Sequence, residues 1–155
     1  MTYDLHGVWD GEHGDAKVRP HTDLRDIDRN IQMLLNLGVK PEKVNLAWAY
    51  YARAYTLADP KCQSIECPFK GPSRKGRCSQ FPGYLMNSEI GDIIRDNHLT
   101  PQLLRDSMVK LVTWGDQWIA YDDKETYAAK LDYANERCLG GVFIWSLDYI
   151  KNSEE

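Results

Sequence analysis

Apolar residues between positions 22 and 37 recur at steps of three and four, which is the period of an amphipathic α-helix. The repeating positions are Leu24, Ile27, Ile31, Leu34 and Leu35. Thr22 is suited to cap the N-terminus, and Asp23 and Asp26 favour the positive end of the helix dipole. Gly38 stands where a left-handed residue commonly ends a helix. The pattern therefore predicts a helix over residues 22–37.

Two shorter runs are apolar without a period, which is typical of strands buried on both faces. The run "VNLAWAY" after Pro41 predicts a strand over residues 44–51, and "VFIWSLD" after two glycines predicts one over residues 141–148. A second amphipathic helix is predicted over residues 124–138, and a further strand over residues 1–9. A helix followed by a buried strand, twice over, indicates parallel βα units and an α/β fold. Three such strands cannot close a barrel, but they can form part of one.

The stretch between Tyr55 and Tyr121 differs in composition from the rest of the chain. It contains a loop rich in Cys, Pro and Gly, a short helical signal around Ile90, and the strand-like runs "KLVTW" and "QWIAY". An α+β insertion between a strand and its following helix explains this change. The predicted division is a barrel part at residues 1–54, the insertion at residues 55–121 and a second barrel part at residues 122–155.

The chain is weakly acidic, with 19 basic and 23 acidic residues mixed along it, so no basic face favours nucleic acid. No run approaches the ~20 apolar residues of a membrane span, and the N-terminus lacks the regions of a signal peptide. Nine Tyr and five Trp against three Phe favour rings that stack on a ligand and hydrogen-bond at an edge. Neither a metal site nor a cofactor is predicted, because the histidines lack ligand-like spacing. These are His6, His13, His21 and His98.

Three of the four cysteines lie in the loop rich in Pro and Gly, which favours disulfide bonds over free thiols or a metal site. Their spacing matches no CxxC zinc pattern. The candidates are Cys62, Cys67, Cys78 and Cys138. The sequence does not choose among the three possible pairings.

Side chains suited to chemistry stand at the predicted carboxyl ends of the strands, where active groups cluster in α/β folds. They are Tyr3 and Asp4 on the first strand, Tyr51 and Arg53 after the second, and Trp145 with Asp148 on the third. Taken singly, such a Tyr or Trp is more often a core residue, and such an Arg more often forms a surface ion pair. Their recurrence at equivalent strand ends favours a shared site.

Five blocks, in this order, resemble the C-terminal half of a glycoside hydrolase family 18 chitinase of the fungal type related to killer-toxin subunits. The blocks are "MTYDLHGVWD", "YYARAYTLADPKC", "CPFKGPSRKGRC", "QWIAYDDKETYAAKLDYANERCLGG" and "VFIWSLD". The resemblance implies a (β/α)8 TIM barrel of which this chain supplies strands six to eight, with an α+β insertion before the last strand. It also implies an extracellular, endo-acting enzyme without a cofactor. Such an enzyme hydrolyses β-1,4 links between N-acetylglucosamine units of chitin by substrate-assisted catalysis.

The resemblance implies roles for residues of the first predicted strand. Met1, Tyr3 and Asp4 match the motif on the sixth barrel strand. Tyr3 would hydrogen-bond the acetamido carbonyl and hold the nucleophilic oxygen near the anomeric carbon, and such positioning lowers a barrier substantially. Asp4 would bind a sugar hydroxyl or tune neighbouring carboxylates. Tyr3 and Asp4 are therefore the predicted catalytic residues, and Met1 is a predicted substrate-binding residue.

Tyr51, Arg53 and Trp145 are the other substrate-binding residues that the resemblance implies. The first two would line the groove beside the cleaved bond, and the indole of Trp145 would form the floor under the sugar. Ala52 stands where the family has glycine, a residue that permits unusual backbone angles. A tolerated exchange of one small residue for another is favoured over a displaced Arg53.

The family's acidic motif DxxDxDxE occurs nowhere in the 155 residues. Its glutamic acid protonates the leaving oxygen, and acid catalysis of this kind contributes on the order of 10²- to 10⁴-fold. We therefore predict no hydrolysis by this chain alone. Three hypotheses stay open: a chitinase part whose catalytic-acid half lies elsewhere, a non-hydrolytic chitin-binding remnant, and an inert gene-model fragment. The expected partners are chitin or chito-oligosaccharides and, because an open barrel segment leaves unpaired edges, the missing N-terminal half.

Overall fold

The computed structural model describes residues 1–149, and this part of the chain contains two sheets and three α-helices. The helices are α1 (Leu24–Asn36), α2 (Asn87–Asp96) and α3 (Lys124–Glu136). The strands are β1 (Asn45–Ala49), β2 (Tyr51–Leu57), β3 (Phe69–Pro72), β4 (Tyr84–Met86), β5 (Gln102–Leu104), β6 (Val109–Trp114), β7 (Gln117–Tyr121) and β8 (Gly141–Trp145). β1 and β8 form a parallel pair. The other six form an antiparallel sheet in the order β3-β2-β7-β6-β5, with β4 paired to β2.

The parallel pair β1–β8 and the helices α1 and α3 form the α/β unit that the periodicity predicts. β1 and β8 pair in register over five residues. Apolar side chains of both helices pack against β1 in one core cluster. Its buried members are Ile27, Ile31, Leu46, Tyr133 and Ala134. Both helices and both strands of this unit are therefore confirmed, but each of the four elements is shorter than the sequence predicts.

The start of α1 differs from the prediction by one residue. Asp23, not Thr22, is the N-cap, and its carboxylate accepts a hydrogen bond from the Arg25 backbone N–H at 2.9 Å. The Thr22 hydroxyl is occupied elsewhere, since it donates to the buried Asp122 carboxylate at 2.7 Å. At the other end Gly38 has φ of 85°, the left-handed conformation expected after a helix.

The predicted strand over residues 1–9 is wrong. Residues 1–5 belong to no strand, and Val8–His13 forms a 3₁₀ turn. Asp4 has φ of 58°, a left-handed conformation that interrupts an extended chain. The Thr2 hydroxyl takes the place of backbone hydrogen bonds between this segment and β1. It donates to the Ala47 carbonyl at 2.7 Å and accepts from the Ala47 N–H at 2.9 Å. Within the described residues two parallel strands are therefore present instead of three.

The antiparallel sheet is organised around β7, which lies between β2 and β6 and is buried along its whole length. Trp118 and Ala120 belong to one core cluster, while Ile119 and Tyr121 belong to another. Successive side chains of a strand point to opposite faces, so β7 contributes to both cores. The predicted helix around Ile90 is α2, and the two predicted strand pieces are β6 and β7. The sequence predicts neither β2, which begins where the predicted strand over residues 44–51 ends, nor β3, β4 and β5, each of which has only three or four residues.

The cysteines form one disulfide bond, between Cys62 and Cys67. Cys78 and Cys138 are exposed free thiols. Disulfide bonding is therefore confirmed for one pair and wrong for the other two cysteines, which lie in different parts of the fold. No helix within residues 1–149 is long and apolar enough to cross a membrane.

Candidate functional site

Six of the seven predicted site residues line one groove of about 610 Å³, and Asp148 does not line it. The six are Met1, Tyr3, Asp4, Tyr51, Arg53 and Trp145. The groove lies where the chain start, the first half of β2, β4 and the end of β8 meet. The parallel pairing of β1 and β8 brings these segments together, because the carboxyl ends of both strands point to the same edge. The roles of the six residues stay a prediction.

An ion pair between Asp4 and Arg53 forms the polar centre of the groove. The guanidinium donates twice, from Nε to Oδ1 at 2.9 Å and from its terminal nitrogen to Oδ2 at 2.7 Å. The Tyr51 hydroxyl donates to the same Oδ1 at 2.8 Å. A carboxylate bound in this two-pronged way is fixed in position as well as in charge.

The surroundings keep Asp4 ionised and Tyr51 neutral. Burial alone would raise the pKa of Asp4, but the hydrogen bonds from Arg53 and Tyr51 outweigh burial and hold the pKa well below its usual range. Burial, together with the hydrogen bond to Asp4, raises the pKa of the Tyr51 hydroxyl. Asp4 is therefore an acceptor without a proton to give, and Tyr51 stays a hydrogen-bond donor across the physiological pH range.

Arg53 is enclosed by aromatic rings as well as by Asp4. Its guanidinium carbon lies 5.1 Å from the centroid of the Trp9 ring, 5.2 Å from that of Tyr84 and 5.6 Å from that of Tyr51. Such cation–π contacts each stabilise a partly buried cation by about 0.5–2 kcal/mol. The alanine at position 52 does not keep Arg53 from the groove.

Aromatic rings form the walls of the groove. The ring of Tyr51 stacks on that of Tyr84 with centroids 4.6 Å apart, and Tyr3 meets Tyr51 edge-on at 5.9 Å. Trp145 and Phe81 remain 52% and 63% exposed and so leave ring faces free for a ligand. Flat apolar faces beside hydrogen-bonding hydroxyls suit a ring that is apolar on its face and polar at its edge.

Sequence reasoning misses several residues that line the groove and one, His21, that lies behind it. Tyr84 and Met86 enter because β4 pairs antiparallel with β2, which places Tyr84 opposite Arg53 and Met86 opposite Tyr51. His21 lies behind Asp4 and is 1% exposed. The only sequence signal for Tyr84 and Met86 is their position in a short apolar run after a glycine. A strand of three residues is too short to show an alternating pattern.

An aromatic groove with a half-buried ion pair at the carboxyl ends of parallel strands suits a ligand that is apolar on its faces and polar at its edge, as a sugar ring is. The chain belongs to the glycosyl hydrolases family 18, whose sequence profile matches residues 1–149.

Known relatives agree with this assignment. A probable chitinase LysM11 of Penicillium expansum is 27% identical, over 96% of this chain and 16% of its own length. A crystal structure of a GH18 chitinase mutant from Cycas revoluta in complex with (GlcNAc)4 is 28% identical over 96% of this chain and 42% of that chain, with a TM-score of 0.81. A group IV chitinase of Ostrinia furnacalis in complex with allosamidin is 26% identical over the same share of each, with a TM-score of 0.88. The chain spans 7% of the length of probable chitinase 10 of Drosophila melanogaster and 40% of that of chitinase-3-like protein 2 of Homo sapiens.

Proposed function

We propose that this chain forms the part of a chitinase groove that binds N-acetylglucosamine units beside the cleaved bond. The observation that carries the proposal is the convergence of Tyr3, Asp4, Arg53 and Trp145 on one groove. Membership of family 18 and the (GlcNAc)4 complex of a related chitinase support the same ligand class.

Each groove residue has a role that fits its surroundings. The exposed indole of Trp145 is the floor on which a sugar ring stacks. The Tyr3 hydroxyl donates to the acetamido carbonyl and so aligns the oxygen that attacks the anomeric carbon. Asp4, fixed by Arg53 and Tyr51, accepts hydrogen bonds from the acetamido group or a sugar hydroxyl. In substrate-assisted hydrolysis the acetamido oxygen is the nucleophile, so these residues need only orient and stabilise it.

The same proposal includes the (β/α)8 barrel to which this chain would belong. The two parallel strands and the chain start correspond to strands six to eight of a (β/α)8 barrel, with residues 55–121 as the insertion. The N-terminal half of that barrel is the partner that covers β8 and supplies the DxxDxDxE acid. Description of a relative, LysM12 of Penicillium expansum, as a secreted chitinase, together with the disulfide bond, supports an extracellular protein.

Binding of (GlcNAc)4, measured by isothermal titration calorimetry, tests the proposal. Covering about 60 Å² of the Trp145 ring face contributes about 1.5 kcal/mol at 25 cal/mol per Å², so Trp145→Ala weakens binding about tenfold. Phe143→Ala is the matched control, because Phe143 is an aromatic residue of the same strand, 39% exposed, that does not line the groove. Absence of binding by the wild type, or equal losses in both variants, overturns the proposal.

Hydrolysis assays test whether the isolated chain has any catalytic activity of its own. The paired, ionised Asp4 has no proton for a leaving group, which favours binding without turnover by the isolated chain. We expect no measurable cleavage of chitin oligosaccharides, and cleavage that Trp145→Ala abolishes would refute this. The coding sequence upstream of the Met1 codon distinguishes the hypotheses, since it encodes DxxDxDxE for an enzyme part, lacks it for a binding remnant and interrupts it for an inert fragment.

A further inference from the structure

Tyr3 and Asp4 stand on a segment that no backbone ladder holds. Residues 2–5 belong to no strand, yet two side chains of the groove depend on their conformation. One end of the segment is tied by Thr2, whose hydroxyl both donates to and accepts from the backbone of Ala47. A second tie is needed beyond Tyr3, since one anchor leaves the following residues free to rotate.

His21 supplies that second tie through its backbone and its ring. Its carbonyl accepts from the Leu5 N–H at 3.1 Å, and ring Nδ1 accepts from the Asp4 N–H at 3.2 Å. Ring Nε2 lies 3.0 Å from the carbonyl oxygen of Tyr51. Because a carbonyl oxygen only accepts, Nε2 carries the proton and Nδ1 is free to accept. One buried ring thus joins the chain start to the first residue of β2.

The tie matters because Asp4 adopts an uncommon conformation. A non-glycine residue at φ of 58° is strained and keeps this conformation only where its surroundings hold it there. In this conformation the Asp4 carboxylate meets Arg53 and Tyr51, whereas an extended residue would direct its side chain differently. Asp4 Oδ1 also lies 3.3 Å from Nδ1 of His21, so the ring limits the space on that side of the carboxylate.

We propose that His21 is a positioning residue that fixes Asp4 in its left-handed conformation and thereby aims Tyr3 and Asp4 into the groove. His21 itself is buried and does not line the groove, so it acts through these two neighbours. The inference rests on the proposed function for the identity of the ligand. The hydrogen bonds of His21 to Asp4 and Tyr51 do not depend on that identity.

Two variants separate hydrogen bonding from packing. His21→Gln keeps one acceptor and one donor on a side chain of similar length, whereas His21→Leu fills the space and offers neither. We expect His21→Leu to weaken (GlcNAc)4 binding about tenfold, because small displacements of positioned groups cost that much or more. We expect His21→Gln to stay within about threefold of the wild type. Amide exchange of Asp4, followed by NMR, should accelerate in His21→Leu and stay slow in His21→Gln.

The tautomer of His21 is the readout that a packing role would not set. Nitrogen-15 NMR of the wild-type imidazole should show protonated Nε2 and unprotonated Nδ1. A proton on Nδ1, whether in the neutral or in the doubly protonated ring, overturns the proposal, even if His21→Leu fails to fold. So does a folded His21→Leu chain with wild-type affinity, or a His21→Gln chain that loses as much as His21→Leu. If the wild type does not bind (GlcNAc)4, the proposed function fails, and the tautomer and the exchange rates alone then decide whether His21 positions Asp4.

Discussion

Lys130 forms a buried ion pair that joins the separate parts of the fold, and its removal offers a quantitative test. Both Lys130 and Asp122 have 2% exposed side chains. The Lys130 ammonium donates to Asp122 Oδ1 at 2.6 Å and to the Thr22 carbonyl at 2.8 Å. The hydroxyls of Thr22 and Thr126 donate to the same carboxylate. The pair therefore links α3, the end of β7 and the start of α1.

The variant Lys130→Met removes the charge and keeps the length of the side chain. Asp122 is then a buried carboxylate without its cation, and loss of one partner of such a pair costs about 3–5 kcal/mol. That is a large share of the ~5–15 kcal/mol that stabilises a domain of this size. Burial also lowers the pKa of Lys130, and the attraction of Asp122 opposes this change.

Urea denaturation followed by circular dichroism measures the change as a lower midpoint at an unchanged slope. The double variant Lys130→Met with Asp122→Asn is the control, since no charge is left buried and part of the loss should be recovered. A loss below about 1 kcal/mol for Lys130→Met would refute the reasoning, since a broken buried pair should cost several times more. A double variant less stable than the single one would refute it equally.

Three further predictions follow from other contacts. The hydrogen bond from Arg19 lowers the pKa of Glu66 to about 2, so this pair stabilises the fold above about pH 4.5 and its contribution is lost as pH falls towards 2. Carboxyl NMR of Glu66 should show this titration midpoint, and Arg19→Gln should raise it. Equal midpoints in the wild type and the variant would contradict the pairing. Native thiol labelling should find two reactive cysteines, and a count of four or none contradicts the single disulfide bond. A Cβ at Gly7 would overlap the Trp9 ring, so Gly7→Ala should move that ring away from Arg53 and shift the Trp9 indole NMR signal. An unchanged signal would contradict the contact between the Trp9 ring and the Arg53 guanidinium.

Burial explains how much of the fold could be predicted from the sequence. α1 shows a period because one face is buried, and β7 shows none because both faces are. The convergence of Arg53 and Trp145 could be predicted as well, because parallel strands bring their carboxyl ends to one edge. Periodicity cannot show a residue such as Asp4, whose left-handed angle depends on partners distant in the sequence.

Tyr84 in the groove and His21 behind it depend on contacts that no local sequence pattern predicts. Tyr84 reaches Arg53 only through the register of β2 and β4, and β4 is three residues long. His21 stands in a connection before α1, where a polar residue is ordinarily exposed. Its burial becomes intelligible once the Asp4 amide and the Tyr51 carbonyl are seen to flank its ring.

Chemical-shift mapping with (GlcNAc)4 on the isotopically labelled chain tests the central claim most directly. We expect the perturbed amide and indole signals to cluster at Tyr3, Asp4, Arg53 and Trp145, with saturation at increasing ligand. Perturbations confined to the separate cavity beside Trp48, or spread evenly without saturation, would contradict a sugar-binding groove at this end of the strands.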